Sequence, residues 1–302
     1  MSLNLKAEDS SIKIVYKQPP QLLKWIGNKQ RFAEEIVSYM PKMINTYIEP
    51  FLGSAAVLGT LSAMNYENLF PFYKRAIASD ILPFLIEIFN FVKDNPHILI
   101  KHYDECICEY NENREKRYCE IRERFNQTFN ALDFAVLSRT CYSGVIRFRK
   151  RDGYMSTPIG PHKPISPESF EERVMIWHRI IQDVEFISRD FRETMSLAKE
   201  GDVVYCDPPY THSQTILYGS QEFNIKDLWD KIYECKQKGA KVMLSINGKS
   251  KSKTKDISVR VPEGLFERSI DMNCGISMIN RLQRSGETME NEDVHDKLLF
   301  TW

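Results

Sequence analysis

Val203-Val204-Tyr205-Cys206-Asp207-Pro208-Pro209-Tyr210 is an apolar run that ends in a carboxylate, two prolines and an aromatic ring. Valine and tyrosine favour a buried strand. The prolines end it, because neither can donate a backbone N–H and both hold φ near about −65°. The carbonyl of Pro208 is thereby fixed beside the Asp207 carboxylate, with the Tyr210 ring close by. Two acceptors and one stacking face suit a flat heterocycle that carries an NH2 group. The alternative is a plain strand exit, where prolines merely stop the pairing.

The same order of elements recurs upstream. Leu22 to Lys29 leads into a helix predicted over residues 28–39 and stopped by Pro41. Tyr47-Ile48-Glu49-Pro50-Phe51 reads as a short strand, and Gly53-Ser54-Ala55-Ala56 opens a helix over about residues 54–64. Ala76 to Asp80 is a second strand with an acidic end, followed by a helix with Leu82, Leu85, Ile86, Phe89 and Val92 on one face. Further strands are expected at 184–187, 203–206 and 240–246, with a helix over 225–238. Strand, small-residue turn, helix and acidic strand end describe an α/β protein with a doubly wound, mostly parallel sheet, which takes a nucleoside at its carboxyl edge.

That alternation is interrupted. Residues 94–135 are charged and aromatic with helical runs, and residues 139–167 are rich in Gly, Pro, Arg and Lys, as in a hairpin with long loops. The chain therefore divides into a first core segment (residues 1–92), an inserted helical and hairpin domain (93–180) and a second core segment (181–302).

Zero net charge excludes a histone-like blanket of positive charge but leaves local patches open. No apolar stretch approaches the roughly 18 residues of a membrane span, and the N-terminus lacks the apolar core of a signal peptide. A cytoplasmic protein with reduced thiols is expected, since the seven cysteines are odd in number and include no CxxC pair. Cys106-Ile107-Cys108 is too closely spaced for a zinc site, and no metal is expected.

Gly53 lets the backbone of its turn approach a ligand closely. The turn is not GxGxxG, so no pyrophosphate is demanded. Glu49 and Asp80 supply acceptors at neighbouring strand ends, where a carboxylate commonly binds ribose hydroxyls. A ligand with a ribose, a positive charge and no phosphates fits, and S-adenosylmethionine meets that description better than a dinucleotide. In the blander reading Asp80 caps a helix and Gly53 only packs. Downstream, Arg147-Phe148-Arg149-Lys150-Arg151 sets cations beside an aromatic ring; at strand spacing Arg147, Arg149 and Arg151 would share one face, as suits a hairpin in a nucleic-acid groove. A solvated charged hairpin is the alternative.

Lys24-Trp25-Ile26-Gly27-Asn28-Lys29, Tyr47 to Ser54 and Asp207 to Tyr210, in that order, resemble the N6-adenine DNA methyltransferases of the Dam type, a group that includes methylases accompanying some type II restriction enzymes. Leu137 to Phe148 resembles the family's DNA-reading hairpin, and Asp296 to Trp302 its closing strand. The resemblance implies a methyltransferase sheet with an inserted target-recognition domain. It implies S-adenosylmethionine held by Trp25, Lys29, Asp80 and Asp207, with Asp190 and Phe191 bordering its adenine. Asp207, Pro208 and Tyr210 would act on the N6 amine of an adenine flipped out of double-stranded DNA. Arg147 would read a guanine edge, Tyr142 would fill the vacated stack, Ser143 and Pro158 would lie nearby, and Lys24 would touch a base; Arg149 belongs to the same basic hairpin. Bacterial or phage origin follows, with a restriction endonuclease acting at the same site as a candidate partner. Three places depart from the pattern: Ala55 for a second glycine, Ser143 for the usual Asn, and the segment Met155-Ser156-Thr157-Pro158 for Phe-Asn-Val-Pro. The alternatives are a methyltransferase acting on RNA or a protein amide, and a DNA-binding regulator with an inactive cofactor fold.

Overall fold

A computed structural model of the chain describes residues 17–110, 113–209, 223–247, 260–276 and 293–302. Seven strands form one sheet: β1 (Met43–Glu49), β2 (Phe72–Asp80), β3 (Val184–Ser188), β4 (Val203–Cys206), β5 (Lys241–Asn247), β6 (Arg268–Ile276) and β7 (Asp293–Phe300). Their order is β3-β2-β1-β4-β5-β7-β6. The first five run parallel, and β7 lies antiparallel between β5 and β6.

The strand pattern follows from burial on both faces, which makes central parallel strands read as unbroken apolar runs. All four residues of β4 are buried. Because successive side chains alternate, the sheet separates two cores. Tyr47, Ala76, Val203, Tyr205 and Met243 face a large cluster. It is completed by α1 (Ala33–Ser38), α2 (Ala56–Tyr66), α3 (Pro83–Asp94), α4 (Pro96–Tyr110), α5 (Arg114–Thr128), α6 (Ala131–Thr140) and α7 (Pro167–Ile180). Ile48, Val204, Cys206, Val242 and Leu244 face a smaller cluster with α8 (Phe191–Ser196) and α9 (Ile225–Gln237).

The chain steps outward from β1 through β2 to β3, then returns to β4 and proceeds to β5. The direction of winding thus reverses between β1 and β4. Open α/β sheets bind ligands outside the carboxyl ends of the strands at such a reversal. Glu49 ends β1 and Asp207 follows β4, so the topology selects the stretch singled out in the sequence.

The helices between β2 and β3 share the large core. Phe84 of α3 meets Phe125 of α5 at 5.1 Å, Phe134 of α6 at 4.5 Å and Phe148 of the basic hairpin at 5.8 Å. One aromatic cluster therefore runs from the sheet's helical layer to the hairpin.

Several boundaries differ from the sequence reading. The helix predicted over 28–39 is confined to Ala33–Ser38, because Asn28 Oδ1 accepts from the Gln30 N–H at 2.8 Å and holds the preceding residues in turns. The strand expected from Tyr47 begins at Met43. The next helix begins at Ala56, since Ala55 is left-handed with φ 57°. That conformation favours glycine, which accounts for the glycine the family pattern places there. The hairpin is narrow, with bridges at Cys141–Ile159 and Phe148–Met155 only. It turns at Lys150 to Asp152, so Arg147 and Arg149 share a face but Arg151 lies in the turn.

Candidate active site

Lys29 Nζ donates to both carboxylate oxygens of Asp207, each at 2.8 Å, and to the Gly27 carbonyl at 3.3 Å. It also lies 3.8 Å from Asp296 Oδ2. Asp296 is buried, and nothing in the sequence marked it as a site residue. It reaches the carboxyl edge because β7 returns antiparallel, pairing Asp296 with Asn247 at the end of β5. Its only sequence signal is an acid opening the apolar run Leu298-Leu299-Phe300.

Asp80 ends β2, which pairs with β1 on the same edge. Its oxygens accept from the backbone N–H groups of Gly53 and Leu82, both at 3.1 Å. Gly53 has φ +48°, and a Cβ on it would come within 3.1 Å of Trp25 Nε1. The indole of Trp25 therefore packs directly on the glycine turn, and its ring meets Phe134 edge-on at 6.2 Å. Trp25, Lys29, Glu49, Gly53, Asp80 and Asp207 thus gather along one sheet edge. Asp190 stands at the end of β3, where it caps α8 through the Arg192 N–H. Its carboxyl is held below the usual range by hydrogen bonds from the Arg192 side chain, which also grips Asp227 at 2.9 Å. Asp190 is thus engaged in an ion network, while Phe191 stacks on Phe51 at 5.1 Å.

Burial raises Glu49 from its ordinary 4.5 to about 8, against the opposing bond from Tyr47 and with the Asp207 charge adding to the rise. Tyr47 Oη donates to Glu49 Oε2 at 2.6 Å. Burial likewise raises Asp80 from 3.8 to about 6, opposed by the backbone N–H groups around it. Both carboxyls hold a proton more tightly folded than unfolded. Their contribution to stability is full below the ordinary values and is lost as pH rises through the folded ones. The ligand-free protein should therefore lose thermal stability as pH climbs toward 8, and Glu49→Gln should flatten the arm between about pH 6 and 8. Equal pH slopes for the two proteins would refute this assignment.

The basic hairpin sits at the end of α6. Tyr142 is exposed, and its N–H donates to the Pro158 carbonyl at 2.9 Å. Ser143 takes a left-handed φ of 55°. Gly144 abuts Lys24: a Cβ built on Gly144 would lie 2.8 Å from Lys24 Cβ. Arg147 is exposed, with its N–H on Thr157 Oγ1 at 3.0 Å. Arg149 stacks over Tyr154 at 4.0 Å and pairs with Asp152 at 2.9 Å. Of the departing segment, Met155 and Thr157 are buried, held by Asn126, Tyr118 and Arg122 of α5. Ser156 and Pro158 face solvent. Tyr210 and the lysine-rich run 249–255 lie outside the described residues.

Away from this edge, His102, Cys106 and Asp133 converge. Asp133 accepts from Arg124 on both oxygens and from His102 Nε2 at 2.8 Å. Burial works against a charge on His102, but the bond to Asp133 outweighs it and pushes the imidazole up to about 9. The cluster is an ion network across α4, α5 and α6, and a metal ion there would have to displace Arg124.

With this geometry in place, the chain matches the family of D12 class N6 adenine-specific DNA methyltransferases over residues 25–269. The chain belongs to this family. It is 32% identical over 247 residues to a type II methyltransferase, M.MjaIII, of Methanocaldococcus jannaschii, covering 74% of this chain and 82% of that one. It is 29% identical over 219 residues to a DNA adenine methylase of Vibrio cholerae (70% and 74%). A DNA adenine methylase of Haemophilus influenzae is 30% identical over 214 residues (70% and 70%). The protein is an adenine-specific DNA methyltransferase. This decides for DNA over the RNA and amide alternatives. No helix among the described residues is long and apolar enough to cross a membrane.

Proposed function

We propose that the methyltransferase uses S-adenosylmethionine to methylate the N6 amine of an adenine extruded from duplex DNA, with residues 1–92 and 181–302 as the catalytic core and 93–180 as the target-recognition domain. The observation that carries the reading is the Lys29–Asp207 pair at the winding reversal. S-adenosylmethionine would supply an electrophilic methyl group. A cationic ligand suits an edge where Glu49, Asp80, Asp207 and Asp296 accompany Lys29 and where burial resists the charge of Glu49 and Asp80. Trp25, Gly53 and Asp80 would hold its nucleoside portion, with Glu49, Lys29 and the Phe51–Phe191 rings near it.

The amine of adenine is planar, since its lone pair is delocalised into the ring, and is a weak nucleophile. An ionised carboxylate offers about four lone-pair sites, so Asp207 can accept from an amine hydrogen while Lys29 occupies one site on each oxygen. Lys29 fixes the plane of the Asp207 carboxylate through bonds to both of its oxygens. The Pro208 carbonyl, rigid through its ring, would take the second hydrogen. Both acceptors draw the nitrogen toward tetrahedral geometry, and Asp207 stabilises the positive charge that develops on it. Tyr210 would stack on the base. The target lies inside a duplex and must leave the stack to reach this edge; Tyr142, with Ser143 and Pro158 beside it, would fill the gap. Arg147, Arg149 and Lys24 would contact the DNA. Where the methylation is protective, a restriction endonuclease reading the same sequence is the implied partner.

Transfer of a labelled methyl group to duplex DNA, followed by nucleoside digestion, tests the reading; label recovered as anything but N6-methyladenine would refute it. Arg147→Ala should lower discrimination at one base pair by about 1–3 kcal/mol. The check is kcat/KM across duplexes with single substitutions in the mapped site, and unchanged ratios would dismiss Arg147 as a reader.

A further inference from the structure

Residues 17–25 form neither helix nor strand. Pro19 and Pro20 have no N–H to offer, so regular pairing is closed to this segment and its carbonyls need other partners. Side chains provide them. Gln30 Nε2 donates to the Pro19 carbonyl at 2.8 Å, and Trp177 Nε1 to that of Pro20 at 2.8 Å. Arg173 Nη1 donates to the Gln21 carbonyl at 2.8 Å. Arg139 Nη1 reaches the Leu22 carbonyl at 2.7 Å and that of Gln21 at 3.2 Å. Successive carbonyls from Pro19 to Leu22 are all taken by side chains.

Arg139, Arg173 and Trp177 belong to α6 and α7, within the inserted region rather than the sheet. Trp177 lies across Gly59 of α2, where a Cβ would meet its ring at 2.3 Å. Arg139 is buried although charged, a costly placement unless its donors are used. The segment they hold continues directly into Lys24 against Gly144, Trp25 against Phe134 and Gly53, and Lys29 on Asp207. Between Leu22 and Lys29 there are only bends and turns, so no helix or strand of its own fixes this stretch.

We infer that Arg139, Arg173 and Trp177 are positioning residues for the cofactor: they clamp the carbonyls of Pro20, Gln21 and Leu22 and so set Trp25 and Lys29 at the sheet edge before a ligand arrives. Freeing the segment would make binding carry the cost of ordering it. α6 runs on into Tyr142, so the reading hairpin and the cofactor segment share one anchor. The inference rests on the reading of Trp25 and Lys29 as cofactor contacts.

The test uses the full chain carrying Arg173→Ala with Trp177→Phe, which removes two donors and leaves an aromatic ring on Gly59. The dissociation constant and KM for S-adenosylmethionine should rise about tenfold, while kcat at saturating cofactor stays within about twofold of wild type. Arg173→Lys, which keeps a donor, should recover most of the affinity. A lowered thermal midpoint with an unchanged KM would mean that the bonds serve stability alone and would overturn the inference. Should the double variant fail to fold, each single substitution decides in the same way, with a rise of about threefold expected. Lys29→Ala is measured alongside. If it leaves cofactor affinity unchanged, the cofactor reading fails; if it weakens binding and the clamp variants do not, only the clamp fails.

Discussion

Asp207→Ala is expected to lower kcat for methyl transfer by about three orders of magnitude or more while leaving the protein folded. Its side chain lies beyond the end of β4, one-fifth exposed, and takes no part in the sheet ladder. In the proposed mechanism the carboxylate accepts from the amine and faces the charge that grows on nitrogen, so its loss would fall on the transition state rather than on ground-state binding. Fold retention is expected because Lys29 keeps Asp296 at 3.8 Å and the Gly27 carbonyl at 3.3 Å. Asp207→Asn separates the two duties: it keeps an acceptor but loses the charge and the ion pair, and should fall between wild type and alanine. Single-turnover transfer of labelled methyl groups, with thermal unfolding on the same preparations, checks both. Alanine activity within about threefold of wild type would remove Asp207 from the mechanism.

The acids that end parallel strands were legible because each closes an apolar run on the same edge: Glu49 after Ile48, Asp80 after Ser79, Asp207 after Cys206. Asp296 was not, because it stands inside β7, ahead of the apolar run rather than at its close. Only the antiparallel pairing of β7 on β5, which sets Asp296 opposite Asn247, brings it to the edge where the other strands end. Residues 28–32 fall outside the helix expected over 28–39, because the side chain of Asn28 competes for the backbone. The departing segment around Met155 also changes meaning. Its buried members meet α5, so the Met155 and Thr157 differences concern support of the hairpin. Differences that bear on the proposed recognition are narrowed to Ser143 and Ser156.

The aromatic cluster that joins Trp25 to the helices between β2 and β3 makes a second large effect measurable. Phe134 is fully buried. It meets Phe84 at 4.5 Å, Phe125 at 5.2 Å and Trp25 at 6.2 Å, and Phe148 of the hairpin packs on the first two of these at 5.8 and 6.5 Å. Phe134→Ala removes the ring that links Trp25 to Phe84 and Phe125, the two rings on which the hairpin's Phe148 packs. Three rings around one position leave little room for collapse into the space, so the expected loss is about 3–5 kcal/mol of unfolding free energy. Phe134→Leu keeps most of the volume and should cost less than about 1.5 kcal/mol. Urea unfolding with an unchanged m-value checks both, since a changed slope would signal a different compactness instead. The same alanine variant should bind S-adenosylmethionine more weakly at temperatures where it remains folded, because the Trp25 ring loses its edge contact with α6. A loss below about 1 kcal/mol would mean that the cluster repacks without Phe134, and the hairpin and the cofactor segment would then be supported independently.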